Sequence, residues 1–164
     1  MTRDALEPGH AAPDFRLPTT AGEASLSGFA GSALVLYFYP KDDTSGCTKQ
    51  AVAFSERLDE FAAAGAKVLG VSRDTLAKHE RFAVKHDLSV PLGSDEAGEA
   101  TEAYGVWKEK SMYGRTYMGI ERSTFLIGAD GQIARVWRKV RVPGHVDEVL
   151  EAARALGAED RPAT

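Results

Sequence analysis

Cysteine is almost absent from the chain, which has one such residue, Cys47, among 164. A single cysteine cannot close an internal disulfide, so we expect a fold held together by its core and a reducing, cytoplasmic setting. The local spacing of cysteine and histidine that structural zinc sites require is absent as well. The sequence thus predicts no bound metal and no cofactor.

Positive charge is not in excess, because the net charge is −4. This composition favours neither nucleic acid nor an anionic membrane as a partner. Long apolar runs are also missing: the longest, Ala33–Tyr39, is far below the roughly 20 residues that span a bilayer. The N-terminal stretch MTRDALEPGHAAPDF has no apolar region, so we expect no secretion signal.

The apolar fraction of 43% and the charged fraction of 27% are ordinary for a globular protein. A chain of this length suits one domain over residues 1–164, with a core that we place at about residues 8–156. Hydrophobic periodicity and turn residues divide it into alternating strands and helices. The predicted strands are Asp14–Leu17, Glu23–Leu26, Ser32–Tyr39, Lys67–Ser72, Val90–Leu92, Arg122–Ile127 and Gln132–Arg138, and the predicted helices are Ser45–Ala64, Thr75–His86, Glu99–Tyr104 and His145–Leu156.

The strand over Ser32–Tyr39 is apolar on both faces, so it belongs in the middle of a sheet that is covered on both sides. A hairpin and a βαβ unit precede an excursion over Gly105–Gly119, and a second hairpin and a helix follow it. This order predicts an α/β protein with a thioredoxin-like fold: a central mixed sheet, an N-terminal hairpin and flanking helices. A flavodoxin-like sheet is the alternative, but its phosphate-binding loop would fall on PKDDTSGCT, which carries two acids.

The stretch PKDDTSGCT joins that apolar strand to the helix predicted over Ser45–Ala64. It places Cys47 at a helix N-terminus, where free backbone N–H groups and the helix dipole favour negative charge. A cysteine in this position is biased toward the thiolate, which is the nucleophilic form. The alternative for a lone cysteine is a small buried hydrophobic residue. We interpret Cys47 as a redox nucleophile.

A thiolate that attacks a peroxide needs an oriented peroxide and a stabilised leaving oxygen. The hydroxyl of Thr44 can accept one hydrogen bond while it donates another. Pro40 opens the loop with an apolar ring that could exclude water, and the amides around Gly46 favour an anion. Each of these three residues also has a structural explanation: Pro40 ends a strand, Thr44 caps a helix, and Gly46 relieves backbone crowding. A cation is missing locally, because two aspartates follow Lys41.

The segment FYPKDDTSGCT, taken with GVWKEKSMYGRTYMGIERSTFLI, resembles the peroxiredoxins. More narrowly, it is similar to their Q-type subfamily, the bacterioferritin comigratory proteins, from about residue 8 to about residue 156. The resemblance implies a thiol-dependent peroxidase that reduces hydrogen peroxide and organic hydroperoxides. By this resemblance Cys47 matches the peroxidatic cysteine, Thr44 the peroxide-binding hydroxyl, Pro40 the shielding proline and Arg122 the active-site arginine.

Two positions depart from the pattern of the family. Ser45 stands where the family usually has proline, and it offers a further N-cap. Val52 stands where much of the subfamily has a resolving cysteine, and the next helix, where others carry it, has none. A sulfenic acid at Cys47 would therefore need an external thiol, in a single-cysteine cycle. Whether Val52 is natural or an engineered replacement stays open.

The resemblance leaves the partners open. The reductant is thioredoxin, glutaredoxin or a small thiol, and a monomer is favoured over a dimer. The alternative function is a peroxide-sensing or binding protein that oxidises Cys47 reversibly without efficient turnover. Disulfide exchange of the thioredoxin type is disfavoured, because Thr44 takes the place of the first cysteine in Cys-x-x-Cys. A Cys–His hydrolase is disfavoured too, and we assign His79 and His86 to a solvated helix face.

Two further segments carry alternatives. In the excursion, Trp107, Tyr113 and Tyr117 frame the mouth of the active site or a subunit contact, or they only pack a long loop, which we favour. The basic cluster within Arg135–Arg141 is interpreted as an exposed strand end. Binding of an anionic reductant is its alternative role.

Overall fold

The computed structural model describes residues 6–160. The predicted loose N-terminal start falls largely on residues 1–5 and the end of the predicted polar tail on residues 161–164, so both lie outside the described residues. The strands are β1 (Arg16–Thr19), β2 (Gly22–Ser25), β3 (Ala33–Phe38), β4 (Ala66–Ser72), β5 (Leu92–Ser94), β6 (Trp107–Met112), β7 (Arg115–Ile120), β8 (Ser123–Ile127) and β9 (Ile133–Trp137). The helices are α1 (Ser45–Glu56), α2 (Leu58–Ala63), α3 (Leu76–Lys85), α4 (Glu99–Ala103) and α5 (His145–Asp160).

Seven strands form the central sheet in the order β2-β1-β5-β4-β3-β8-β9. All six residues of β3 are buried, as its two-sided apolar pattern predicted. The strand pairs in parallel with β4 and antiparallel with β8, so the sheet is mixed. The α/β thioredoxin-like architecture predicted from the sequence is confirmed.

Two apolar layers cover the sheet, because successive side chains of a strand point to opposite faces. Val35 and Tyr37 of β3 lie in one layer and Leu34, Leu36 and Phe38 in the other. Helices α1, α2, α3 and α5 supply most of the first layer, which includes Cys47, Phe54, Phe61, Phe82 and Val149. The second layer contains the aromatic cluster Phe15, Phe38, Tyr104 and Phe125.

The N-terminal hairpin differs from its prediction in position and in pairing. The strand predicted at the sheet edge, β1, lies between β2 and β5. Pro18, predicted in the turn, belongs to β1. A proline is tolerated there because β1 contacts β5 through only one residue pair, Thr19 with Gly93, so few ladder hydrogen bonds are required.

The helix predicted over Ser45–Ala64 is divided at Arg57, where the backbone has φ −108° and ψ 7°. The guanidinium of Arg57 forms ion pairs with Glu60 and with Asp147 of α5. The bend allows Phe54 and Phe61 to lie in the same core layer with ring centroids 5.7 Å apart. One apolar stripe therefore continues through two helices, and periodicity alone does not distinguish two such helices from one long helix.

The excursion over Gly105–Gly119 was predicted to be a packed long loop, and this is wrong. It contains the regular hairpin of β6 and β7. Its turn residues Tyr113 and Gly114 have φ values of 52° and 77°, the positive values of a hairpin turn of type I′. Tyr113 is 97% exposed at this tip.

The C-terminal helix α5 continues to Asp160, so the first residues of the predicted polar tail are helical. Among the residues that the structure describes, no helix is both long and apolar enough to cross a bilayer. The other predicted elements are present, with ends shifted by a few residues.

The first residue of α5, His145, makes stability depend on pH. Its imidazole is buried and lies 2.8 Å from the hydroxyl of Thr124. Burial, opposed by the charge of Glu148 and assisted by that of Arg122, lowers the pKa of His145 from 6.5 to about 4. In this pH range the unfolded chain binds a proton that the native state does not, so stability falls as pH falls.

We therefore expect the free energy of unfolding to decrease by about 2 kcal/mol between pH 7.5 and pH 5 on account of this one side chain. The His145→Gln variant should lack this part of the decrease. The measurement is urea unfolding of both proteins at the two pH values. Equal pH dependence in the two proteins would contradict the assignment.

Candidate active site

The loop after β3 delivers Cys47 to the first turn of α1. Thr44 is the N-cap residue, with extended backbone, and its side chain makes no capping hydrogen bond. The alternative prediction that Ser45 is the N-cap of the helix is wrong, because Ser45 is already the first helical residue. Amides in a first helical turn have no intrahelical acceptor and favour an anion. Cys47 is 2% exposed in this position.

Arg122 supplies the cation that the loop lacks. It directly precedes β8, and β8 pairs with β3, which leads into the loop. Its Nη2 lies 3.2 Å from the sulfur of Cys47. A charged donor at this distance stabilises negative charge on the sulfur. The structure thus brings together two predicted site residues that are 75 positions apart in the sequence.

Gln50 orients this arginine. Nη1 of Arg122 donates to Oε1 of Gln50 at 2.5 Å, and Gln50 is fully buried one turn after Cys47. Because a guanidinium only donates, the amide oxygen must face it. The amide nitrogen of Gln50 has no hydrogen-bond partner among the described residues. Sequence reasoning missed Gln50, for which its place on the helix face of Cys47 was the only signal.

Gly46 leaves space for the same contact. A Cβ atom at this position would lie 3.2 Å from Nη2 of Arg122 and 3.9 Å from Cγ2 of Val142. The first distance is tighter than ordinary van der Waals contact, so a side chain would push the guanidinium away from its place. Gly46 therefore does relieve crowding, as its structural explanation held, and its predicted role in the anion site is compatible with this.

Thr44 and Pro40 are both exposed residues of the loop. The hydroxyl of Thr44 donates to the carbonyl oxygen of Lys41 at 2.9 Å. Its oxygen lone pairs can then accept one further hydrogen bond. Pro40 lines a cavity of about 410 Å³ between the loop and the β6–β7 hairpin. The roles assigned to these residues by resemblance stay predictions.

A buried polar network, which the sequence pattern does not predict, fixes the start of the loop. Asp42 Oδ2 lies 2.6 Å from Nδ1 of His79, and Nε2 of His79 lies 2.9 Å from the carbonyl oxygen of Gly93. The hydroxyl of Tyr39 donates to Oδ1 of Asp42 at 2.6 Å. Burial, Tyr37 and the charge of Asp42 raise the pKa of Tyr39, so this hydroxyl remains a donor.

The prediction that His79 lies on a solvated helix face is wrong, because the side chain is fully buried. The sequence does contain a signal: His79 is three residues from both Leu76 and Phe82, which lie on the predicted apolar face of this helix. His86, the other histidine of that prediction, does lie near solvent, where its Nε2 is 2.8 Å from Oδ1 of Asp43. His79 pairs with Asp42 rather than with Cys47, so the site does not have the Cys–His pair of a hydrolase.

A sequence model of the AhpC/TSA family matches residues 8–136, a range that contains both Cys47 and Arg122. The chain belongs to the AhpC/TSA family. Peroxiredoxin Bcp of Xanthomonas campestris is 47% identical over 156 residues, covering 94% of the chain and 98% of the relative. Peroxiredoxin Bcp of Bacillus subtilis is 45% identical over 152 residues, covering 92% of the chain and 97% of that relative.

Solved structures of this family agree with the fold. Peroxiredoxin Q of Xanthomonas campestris has a TM-score of 0.85 at 46% identity, over 95% of the chain and 99% of that protein. A structure of the bacterioferritin comigratory protein from the same organism also has a TM-score of 0.85 at 46% identity, over 93% of the chain and 98% of that protein. That structure addresses the alkyl peroxide reduction activity of the Xanthomonas campestris protein. The resemblance to Q-type peroxiredoxins is confirmed, and the chain is a thiol-dependent peroxidase.

Two neighbouring loop residues offer a matched test of the buried network. The Asp42→Ala variant removes the carboxylate between Tyr39 and His79 and should lower the free energy of unfolding by about 3 kcal/mol. The control is Asp43→Asn, because the ion pairs of Asp43 with Lys85 and His86 are exposed, so their loss should lower stability far less than the loss of the buried carboxylate does. Asparagine is chosen because it tolerates the φ of 62° found at Asp43.

The measurement is urea unfolding of both variants at neutral pH. Equal losses of stability in the two variants would show that the buried network does not hold the loop more strongly than the exposed pairs.

Proposed function

We propose that the chain reduces hydrogen peroxide and organic hydroperoxides through a sulfenic acid at Cys47, which an external thiol then resolves. The observation that carries this proposal is the 3.2 Å contact between Nη2 of Arg122 and the sulfur of Cys47 at a helix N-terminus. The site offers an anion-stabilising environment around its sole cysteine, which is what a peroxidatic thiolate requires.

The first step is the attack of the Cys47 thiolate on one peroxide oxygen. A sulfur–oxygen bond forms, the O–O bond breaks, and the sulfur is oxidised while the peroxide is reduced. The departing oxygen carries negative charge until it takes up a proton, and the guanidinium of Arg122 and the amides at Gly46 and Cys47 are placed to stabilise it. Hydroxide or alkoxide leaves as water or an alcohol.

Thr44 orients the peroxide in this step. Its hydroxyl already donates to the carbonyl oxygen of Lys41, so it faces the peroxide as an acceptor and fixes the position of the O–H group. Pro40 has no backbone N–H and presents an apolar ring on the cavity side of the loop. It excludes water from the neighbourhood of the sulfur, so that water does not compete with the peroxide for the hydrogen-bond donors there.

The second step uses a thiol from outside the chain, because there is no second cysteine. The thiol attacks the sulfenic sulfur, a disulfide forms, and the hydroxyl leaves as water. A second thiol attacks this mixed disulfide and releases Cys47 in reduced form. The reductant is thioredoxin, glutaredoxin or a small thiol.

We also propose that residues 1–164 form one domain. The support is that both core layers of the described residues pack on the same seven-stranded sheet. The molecule acts as a monomer, as the resemblance to the Q-type subfamily suggested. Its free cysteine suits the reducing cytoplasm.

Replacement of the nucleophile tests this function. The Cys47→Ser variant should lose peroxide turnover with a thiol reductant, because a serine hydroxyl does not ionise at neutral pH. The control is Ser45→Ala, which alters the same helical turn and should keep most of the activity. Mass spectrometry of the unsubstituted protein with peroxide alone should show one added oxygen on Cys47. Activity retained in Cys47→Ser would refute the proposal, and one added oxygen without turnover would indicate a sensor.

The single-cysteine cycle predicts the behaviour of a Val52→Cys variant. Residues five apart on a helix have Cα atoms about 8.6 Å apart, which exceeds the limit of about 7 Å for a disulfide. Peroxide should therefore produce an internal disulfide in this variant only if the first turns of α1 unwind. We expect disulfide formation together with loss of helical circular dichroism, and a disulfide formed with α1 intact would contradict the helix geometry.

A further inference from the structure

A cavity beside the active site is not used by the peroxide chemistry. It has a volume of about 410 Å³ and lies between the start of the loop, the N-terminus of α3 and the β6–β7 hairpin. This volume falls in the range of small-molecule sites. Its walls contain basic side chains and apolar side chains. The basic residues are Lys41, Arg73, Lys78 and Lys110, and the apolar residues are Pro40, Trp107, Tyr117, Met118 and Ile120.

The charge of this cavity opposes that of the whole chain, whose net charge is −4. Four basic residues line it, against one acid, Asp74. One carboxylate oxygen of Asp74 already accepts hydrogen bonds from the Ser72 hydroxyl at 2.6 Å and from the backbone N–H of Asp42 at 2.8 Å. The cavity therefore presents a local excess of positive charge that favours an anion.

The lysines, rather than the arginine, are available to a ligand. The guanidinium of Arg73 lies 3.4 Å from the ring centroid of Trp107 and donates to Thr101 at 2.9 Å. Lys41 and Lys78 are exposed, and within the part of the chain that the structure describes neither forms an ion pair. Arg73 thus holds the hairpin in place while the two lysines face the cavity.

The cavity is connected electrostatically to the reactive sulfur. Burial and the nearby guanidinium of Arg122 lower the pKa of Lys110, while the charges of Glu121 and Cys47 raise it. Lys110 therefore lies within electrostatic range of both active-site residues. Ile120, on the cavity wall, is only two positions before Arg122. A ligand in the cavity would be close to the entrance of the site.

We propose that this cavity binds the external thiol, and that the thiol is a small molecule bearing carboxylate groups. The inference rests on the proposed single-cysteine cycle. Because Cys47 is only 2% exposed, a small thiol reaches its sulfenic acid more easily than a protein thiol does. The carboxylates contact Lys41 and Lys78, and the carbon chain lies on the apolar wall. The thiol sulfur bonds to the sulfur of Cys47, and the hydroxyl leaves as water.

The test compares three thiols of similar size as reductants of peroxide-oxidised protein: mercaptosuccinate, which is anionic, 2-mercaptoethanol, which is neutral, and cysteamine, which is cationic. Rates are compared at equal thiolate concentration and low ionic strength. We expect mercaptosuccinate to react about tenfold faster than 2-mercaptoethanol, and added salt to reduce this ratio. The Lys78→Glu variant should remove the preference.

The matched control is Lys67→Glu, which makes the same charge change at the start of β4, the end of the sheet opposite to the active site. It should leave the preference for mercaptosuccinate unchanged. Equal rates with the three thiols, an equal effect of both variants, or reduction by thioredoxin alone would overturn this inference. In each of those cases one added oxygen on Cys47 together with peroxide turnover would still support the proposed peroxidase function, whereas absence of the added oxygen would refute that function itself.

Discussion

The contact between the guanidinium of Arg122 and the sulfur of Cys47 organises the rest of the site. It requires β3 and β8 to be neighbours, because one strand leads to the cysteine and the other begins just after the arginine. It also requires the oxygen of Gln50 to hold the guanidinium and the missing side chain of Gly46 to admit it. A charged donor at a helix N-terminus stabilises an anion more than either feature alone would.

The other end of the loop is held by different forces. Asp42 is buried against His79 and Tyr39, whereas Asp43 pairs with Lys85 and His86 near solvent. Both groups of contacts tie the loop to α3, yet the buried one should contribute most of the stability. The loop is thereby fixed on both sides of Thr44, the residue that we propose orients the peroxide.

Much of the fold could be predicted from the sequence, because burial on both faces of β3 and the alternation of strands and helices are strong signals. The break at Arg57 could not, since one apolar stripe continues through α1 and α2. Cys47 followed from its place after a strand, but Arg122 followed only from the resemblance, since a contact between residues 75 positions apart leaves no signal in the local sequence. The burial of His79 does not follow from its residue type, because a polar side chain predicts a solvated position even on an apolar stripe.

The most direct test of the central contact is the second-order rate constant for oxidation of Cys47 by hydrogen peroxide, measured in a single turnover without any thiol. The Arg122→Gln variant should react about 100-fold more slowly or worse, because the departing oxygen loses its cation. An Arg135→Gln variant, altered at an exposed position of β9, should react like the unsubstituted protein. An Arg122→Gln rate within twofold of that protein, with the fold intact by circular dichroism, would contradict the account.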